Sequence, residues 1–103
     1  MGVLSEMKRY DIFLAEVPFD DVEGSKVRPV LILDERVYLI SCLSITSNTS
    51  RPEDYVIRQW KEAGLRKPSS IRILKELELE PSMLDRRIGS LQPIDIIGLQ
   101  NRL

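Results

Sequence analysis

The chain has 103 residues, 43% of them apolar and 30% charged, a length and balance that fit one globular domain over residues 1–103 and exclude a disordered or bilayer-spanning chain. Fifteen basic and sixteen acidic residues leave a formal charge of −1, so any anion-binding role must come from local clustering, not from a global basic field. The absence of histidine and the single cysteine, Cys42, exclude Ser/His and Cys/His nucleophilic pairs, histidine-based zinc sites and an internal disulfide.

Met1 to Arg9 has no apolar stretch of the kind that opens a secretory signal, and no run reaches the ~20 residues that span a bilayer, so a cytoplasmic location without membrane contact is expected. Tyr10 to Val17 reads as a first strand, with Ile12, Leu14 and Glu16 on one face and Phe13, Ala15 and Val17 on the other. Pro18 ends it. The loop Phe19 to Ser25 carries Asp20, Asp21 and Glu23, a grouping that more often is a solvated loop than a metal site.

The stretch from Gly24 to Asp34 then sets two cations, Lys26 and Arg28, at the mouth of an apolar strand. Val30 to Leu33 is continuously apolar, which points to burial on both faces: one against the core, the other against a helix or a second subunit. Pro29 keeps Arg28 extended and cannot donate a ladder hydrogen bond, so it marks the strand's beginning. Asp34-Glu35 reads as a tight turn into a third strand over Arg36 to Ile45. Alternation there sets Val37, Leu39, Leu43 and Ile45 on one face and Tyr38, Ile40, Cys42, Ser44 and Thr46 on the other. Cys42 is expected to be a buried thiol.

Thr46 to Pro52 is a loop by composition. Tyr55 to Ile57 is a short fourth strand, and Gln59 to Gly64 resembles one helical turn with a glycine C-cap, Trp60 covering the end of the core. Ser69 to Leu79 supplies a further strand, Pro81 to Asp85 a turn, Arg86 to Gly89 a last strand segment, and Pro93 opens a helix toward the C-terminus. These elements predict a mainly β, α+β fold: a small, strongly bent sheet or barrel of about five to seven strands with peripheral helices.

With Lys26-Val27-Arg28-Pro29-Val30, Ile45-Thr46-Ser47 and Lys67-Pro68-Ser69-Ser70-Ile71-Arg72 in that order and spacing, the chain resembles the PemK/MazF family of toxin endoribonucleases. The resemblance runs from about Tyr10 to about Leu99. It implies an SH3-like barrel with a C-terminal helix, a homodimer whose groove takes single-stranded RNA, and an antitoxin that inserts an acidic segment into that groove. It also implies cleavage without metal or other cofactor, through attack of the ribose 2′-hydroxyl to leave a 2′,3′-cyclic phosphate and a 5′-hydroxyl. Arg28 would then stabilise charge on the phosphoryl oxygens. Thr46 matches the family's threonine and would hold the phosphate or the 2′-hydroxyl, and Arg72 matches a second arginine. Lys26, Ser47, Glu23, Ser25 and Lys67 would line the RNA path, and Tyr38, Tyr55, Phe19 and Trp60 are candidates for base stacking, although core is the commoner place for such rings.

Tyr10 stands where relatives usually have glycine, and Leu74 where some carry an aspartate. Glu23 and Lys26 are the candidates left for a general base. A non-catalytic RNA- or peptide-binding module on the same barrel is the alternative. A gyrase poison on the related CcdB-type barrel ranks last, because that activity uses a tryptophan near the extreme C-terminus and the only one here is Trp60.

Overall fold

The computed structural model describes residues 7–19, 21–36 and 38–103. Six strands form one antiparallel sheet: β1 (Asp11–Pro18), β2 (Ser25–Glu35), β3 (Ile40–Thr46), β4 (Tyr55–Val56), β5 (Ser70–Leu79) and β6 (Leu84–Ser90), in the order β4-β5-β3-β2-β1-β6. A 3₁₀ turn at Pro81–Met83 joins β5 to β6, and one helix, α1 (Pro93–Gln100), follows. Pro93 opens α1 where its missing N–H is no loss, as expected.

Alternation along β1, β2 and β3 sorts the apolar residues into two cores. Ile12, Leu31, Leu43 and Ile45 join Ile57, Ile71, Leu91 and Leu99 on one side. Phe13, Ala15, Val30, Ile32, Ile40, Cys42 and Leu79 pack on the other, against Leu77, Met83 and Leu84. Burial of β2 on both faces is therefore achieved within one chain, with Val30, Leu31 and Ile32 all buried. Of the two covers expected, the helix is the one present, with Leu99 of α1 in the same core as Leu31.

The structure departs from the expectation in boundaries and in closure. β2 starts at Ser25, not at Pro29, because Ser25 to Arg28 stay paired with β1, and β6 starts at Leu84, not at Arg86. Asp34 and Glu35 are not a turn: they pair with Ser41 and Ile40, and the chain reverses over residues 36–39, where the Arg36 N–H donates to the Leu39 carbonyl. A bulge between Ile32 and Asp34 absorbs one residue and carries the ladder further. The start of β3 thus moves from Arg36 to Ile40, and the facing of Val37 lies outside the described residues. As to closure, no ladder joins the edge strands β4 and β6, so the barrel is not closed by hydrogen bonds. The segment after β4 instead crosses β6 at a contact only glycine permits: a Cβ on Gly89 would lie 1.9 Å from the Ala63 carbonyl oxygen, and one on Gly64 would meet the carbonyl of Ile88.

That crossing segment is a single helical turn ended by a Schellman motif. The Leu65 N–H donates to the Trp60 carbonyl and the Gly64 N–H to that of Lys61, with Gly64 at φ +98°. Trp60 packs half-buried on the first core, as expected, with the Lys61 ammonium 5.6 Å from its ring. Tyr10 sits at φ +74°, the left-handed region that costs a non-glycine residue about 1–2 kcal/mol. Its N–H donates to Ile32, its carbonyl accepts from Leu91 and its hydroxyl accepts from Gln100, which together hold the strained residue in place.

Cys42 is buried with its pKa pushed up to about 12, by loss of hydration first and by the Glu76 carboxylate second. The thiol is expected to resist a disulfide reagent at pH 8 in the folded protein and to react fully once urea unfolds it. Rapid labelling of the folded chain would contradict this burial.

Candidate anion-binding cleft

The cleft originates at Pro29. The β2–β3 ladder runs no further than Val30 and Ser44, next to a residue with no N–H to donate. On the other side β1 stays paired with β2 as far as Ser25. The first residues of β2 therefore present an open edge where β3 turns away after Thr46. An open cleft of about 600 Å³ occupies that gap, bounded by β2, the end of β3, Leu14, β6 and the loop from Gly64 to Ser69.

Its lining holds five cations, Lys26, Arg28, Arg66, Lys67 and Arg86, and no carboxylate. Among the described residues none of the five side chains is in an ion pair, although arginines elsewhere are: Arg36 with Asp34 and Glu78, Arg51 with Asp54, Arg87 with Asp11. A protein of net charge −1 thus concentrates positive charge in one concavity, where low-dielectric walls strengthen its field.

Strand register divides these cations. Ala15 pairs with Arg28 and Val17 with Lys26, which sets both on the face of the second core. Thr46 lies two residues beyond Ser44, the partner of Val30, so alternation brings it beside Arg28. Leu14 pairs with both Pro29 and Arg86, which sets Arg86 on the opposite face. The Thr46 Oγ1 accepts the Asn48 N–H at 3.1 Å, and Asn48 Oδ1 in turn accepts from the Ser50 N–H and hydroxyl. With one of its two lone pairs engaged in this bond, the Thr46 hydroxyl can still donate its proton to a ligand.

The expected site residues are only partly gathered. Lys26, Arg28, Thr46, Ser47 and Lys67 line the cleft, whereas Glu23, Ser25 and Arg72 do not. Glu23 is exposed in the β1–β2 loop, and Ser25, the first residue of β2 and neighbour of the cleft-lining Lys26, pairs with Pro18. Arg72 follows Ser70, the partner of Thr46, in a wide bulge where Arg72 to Lys75 lie between the pairs Ile45 with Ile71 and Leu43 with Glu76. Its Nε and the Ser70 hydroxyl are buried without hydrogen-bond partners. That leaves a donor beneath the Thr46 side of the site.

Among the stacking candidates, Trp60 belongs to the core, and the Tyr55 hydroxyl donates to Asp95 at 2.7 Å. Burial and that carboxylate push the Tyr55 pKa up to about 12. Phe19 and Tyr38, in contrast to the expectation of core, are 42% and 82% exposed. Phe19 lies over Gly24 beside the open edge of β2, and Tyr38 sits at the opposite end of β3 from Thr46. No group of three or more metal-ligating side chains occurs among the described residues, and Asp20 of the acidic loop lies outside them. Leu74 is 80% exposed on the bulge.

Arg66 and Arg86 were not singled out by the sequence. The only signal for Arg86 is its alternation with Ile88 on the cleft side of β6, against Arg87 on the other face. Asp95 is likewise a structural residue that periodicity does not mark. Fully buried in the first turn of α1, it accepts from the Arg58 and Gln59 N–H groups at 2.8 and 2.9 Å.

A comparison with curated proteins finds no match. Among solved structures, the Mycobacterium tuberculosis toxin MazF-mt6 superposes with a TM-score of 0.70 at 24% identity, over 89% of this chain and 90% of that one, a likeness in fold. Residues 8–103 match the family of PemK-like, MazF-like toxins of type II toxin-antitoxin systems, and the chain belongs to that family.

Proposed function

We propose that this toxin is an endoribonuclease that cuts single-stranded RNA at selected sequences by attack of a ribose 2′-hydroxyl on the adjacent phosphate, leaving a 2′,3′-cyclic phosphate and a 5′-hydroxyl. The observation that carries this reading is a cleft lined by five cations and no carboxylate, none of the five ion-paired among the described residues, beside a threonine hydroxyl that can donate. Such a lining suits a polyanion whose charge rises during reaction. Arg28 meets the phosphoryl oxygens, Thr46 donates to the phosphate or orients the 2′-hydroxyl, and Arg72 supports that side through its unpartnered Nε. Lys26, Ser47 and Lys67 hold the strand; Glu23 and Ser25 lie at its margin. With no carboxylate or imidazole in the lining, an amine of the cleft, Lys26 or Lys67, would have to give up its own proton before it could take that of the 2′-hydroxyl.

The toxin acts in the cytoplasm with an antitoxin whose acidic segment competes for the same cations. It works as a homodimer, and the exposed Ile94 and Ile97 on α1 support a covered helix face. No helix among the described residues is long and apolar enough to cross a membrane.

The test is incubation of a long single-stranded RNA with purified protein in excess EDTA, beside DNA of the same sequence. Discrete RNA fragments ending in cyclic phosphate, with the DNA untouched, are the expected result, because only RNA carries the nucleophile. The lack of a carboxylate or imidazole base in the lining favours one second reading, an RNA-binding module without turnover. RNA that is bound and left whole would establish it.

A further inference from the structure

We infer that Arg86 and Arg66 form a second anion subsite, on the opposite face of β2 from Arg28 and Thr46, which takes a nucleotide neighbouring the cleaved one. This rests on the reading of the cleft as an RNA site and extends it to how much RNA the cleft holds.

Arg86 shares a face with Leu14 and Pro29 by direct pairing across β1, while Arg28 pairs with Ala15 and faces the other way. β1 lies between β2 and β6, so the two arginines stand two strand spacings apart, about 10 Å, in addition to facing oppositely. One phosphate cannot be gripped from both sides of a sheet. RNA lying along the cleft from the first residues of β2 to β6, by contrast, meets Arg28 at one end and Arg86 at the other.

The second side has the composition a nucleotide needs. Arg66 and Arg86 are exposed and make no ion pair among the described residues, and Leu14, Pro29 and Ile88 form an apolar floor within the cleft. Guanidinium forks hold a phosphate bidentately and offer a flat surface to a base. The Gly64–Gly89 crossing sets the loop that carries Arg66 directly against β6, so the backbones that carry the two arginines are held together without a bound ligand. Arg87, the adjacent residue, is a built-in control: it faces away and is paired with Asp11 at 3.3 Å.

The experiment measures binding of uncleavable 2′-O-methyl single-stranded RNA by fluorescence anisotropy across a salt series, for the parent, Arg86→Ala, Arg86→Lys and Arg87→Ala. Cleavage of unmodified RNA by the parent is followed alongside. Arg86→Ala is expected to weaken binding several-fold and to flatten the plot of log K against log salt by about 0.7, the value for one lost single-strand phosphate contact. Arg86→Lys should restore the slope, and Arg87→Ala should match the parent. A parent that binds and cuts RNA while Arg86→Ala leaves affinity and slope unchanged overturns the second subsite alone. A parent that does not bind overturns the RNA reading with it. If Arg86→Ala leaves RNA binding intact yet loses binding of poly-glutamate, the cations serve an acidic protein segment and the inference is wrong.

Discussion

Arg28→Ala is expected to slow RNA cleavage by roughly 10²- to 10³-fold, the usual cost of removing one preorganised donor from the charge that develops in a transition state. The size follows from the position of Arg28. It is half-buried on β2, held extended by Pro29 and paired through its backbone with Ala15, so its direction is fixed before substrate arrives. It makes no ion pair among the described residues, and no competing carboxylate lines the cleft. A guanidinium so placed reorganises little during reaction. Arg28→Lys should recover only part of the rate, because an ammonium keeps the charge and loses the bidentate fork. Thr46→Val should also slow the reaction, with the Asn48 N–H that now donates to the hydroxyl left to water.

Single-turnover rates at saturating protein separate this effect from binding. A loss confined to the half-saturation concentration would make Arg28 a binding residue, and an unchanged rate would remove it from the site. Arg86→Ala provides the contrast, since a contact to a flanking phosphate acts equally on ground and transition states and should raise the half-saturation concentration with little change in the maximal rate.

Much of the path to Arg28 was legible in the sequence because it depends on local chemistry. A continuous apolar run reports a strand buried on both faces whatever the rest of the chain does, whereas Pro29, read as the strand's beginning, lies inside β2 and limits only its ladder with β3. The glycine at 64 likewise announced the end of a helical turn. What was not legible depends on which strands become neighbours. The bulge after Ile32 moved the hairpin turn past Glu35, and such a bulge is chosen by how both cores pack, not by the two acidic residues that looked like a turn. Arg86 gains its meaning only when β6 is laid beside β1 and Leu14 links it to Pro29. Tyr10 shows the converse case: its backbone is left-handed, a conformation that favours glycine, yet nothing in the residue itself signals it.

Asp95→Ala is expected to destabilise the fold by about 3–5 kcal/mol, a large share of the 5–15 kcal/mol typical of a domain this size. The carboxylate is fully buried and joins two segments far apart in sequence. Its Oδ1 accepts from the Tyr55 hydroxyl and the Arg58 N–H, and its Oδ2 from the Gln59 N–H. Alanine would strand all three donors, each at a cost of about 1–3 kcal/mol where water cannot reach it. Asp95→Asn is the sharper test. An amide has one oxygen, so whichever way it is turned its NH₂ group must face a backbone N–H or the tyrosine donor, and it too should destabilise although its volume is unchanged. Tyr55→Phe should cost less, since it removes a donor and leaves the two backbone bonds intact. It also keeps the ring that packs against Gly98, where a Cβ would crowd the tyrosine hydroxyl. Urea unfolding of the three variants, read at constant m-value, orders them as Asp95→Ala, Asp95→Asn, Tyr55→Phe. An Asp95→Asn variant as stable as the parent would show that the carboxylate's second oxygen does not hold this junction. The junction lies under the turn that leads to Gly64 and on to Arg66 and Lys67, so RNA affinity is expected to fall in both Asp95 variants even at temperatures where they remain folded.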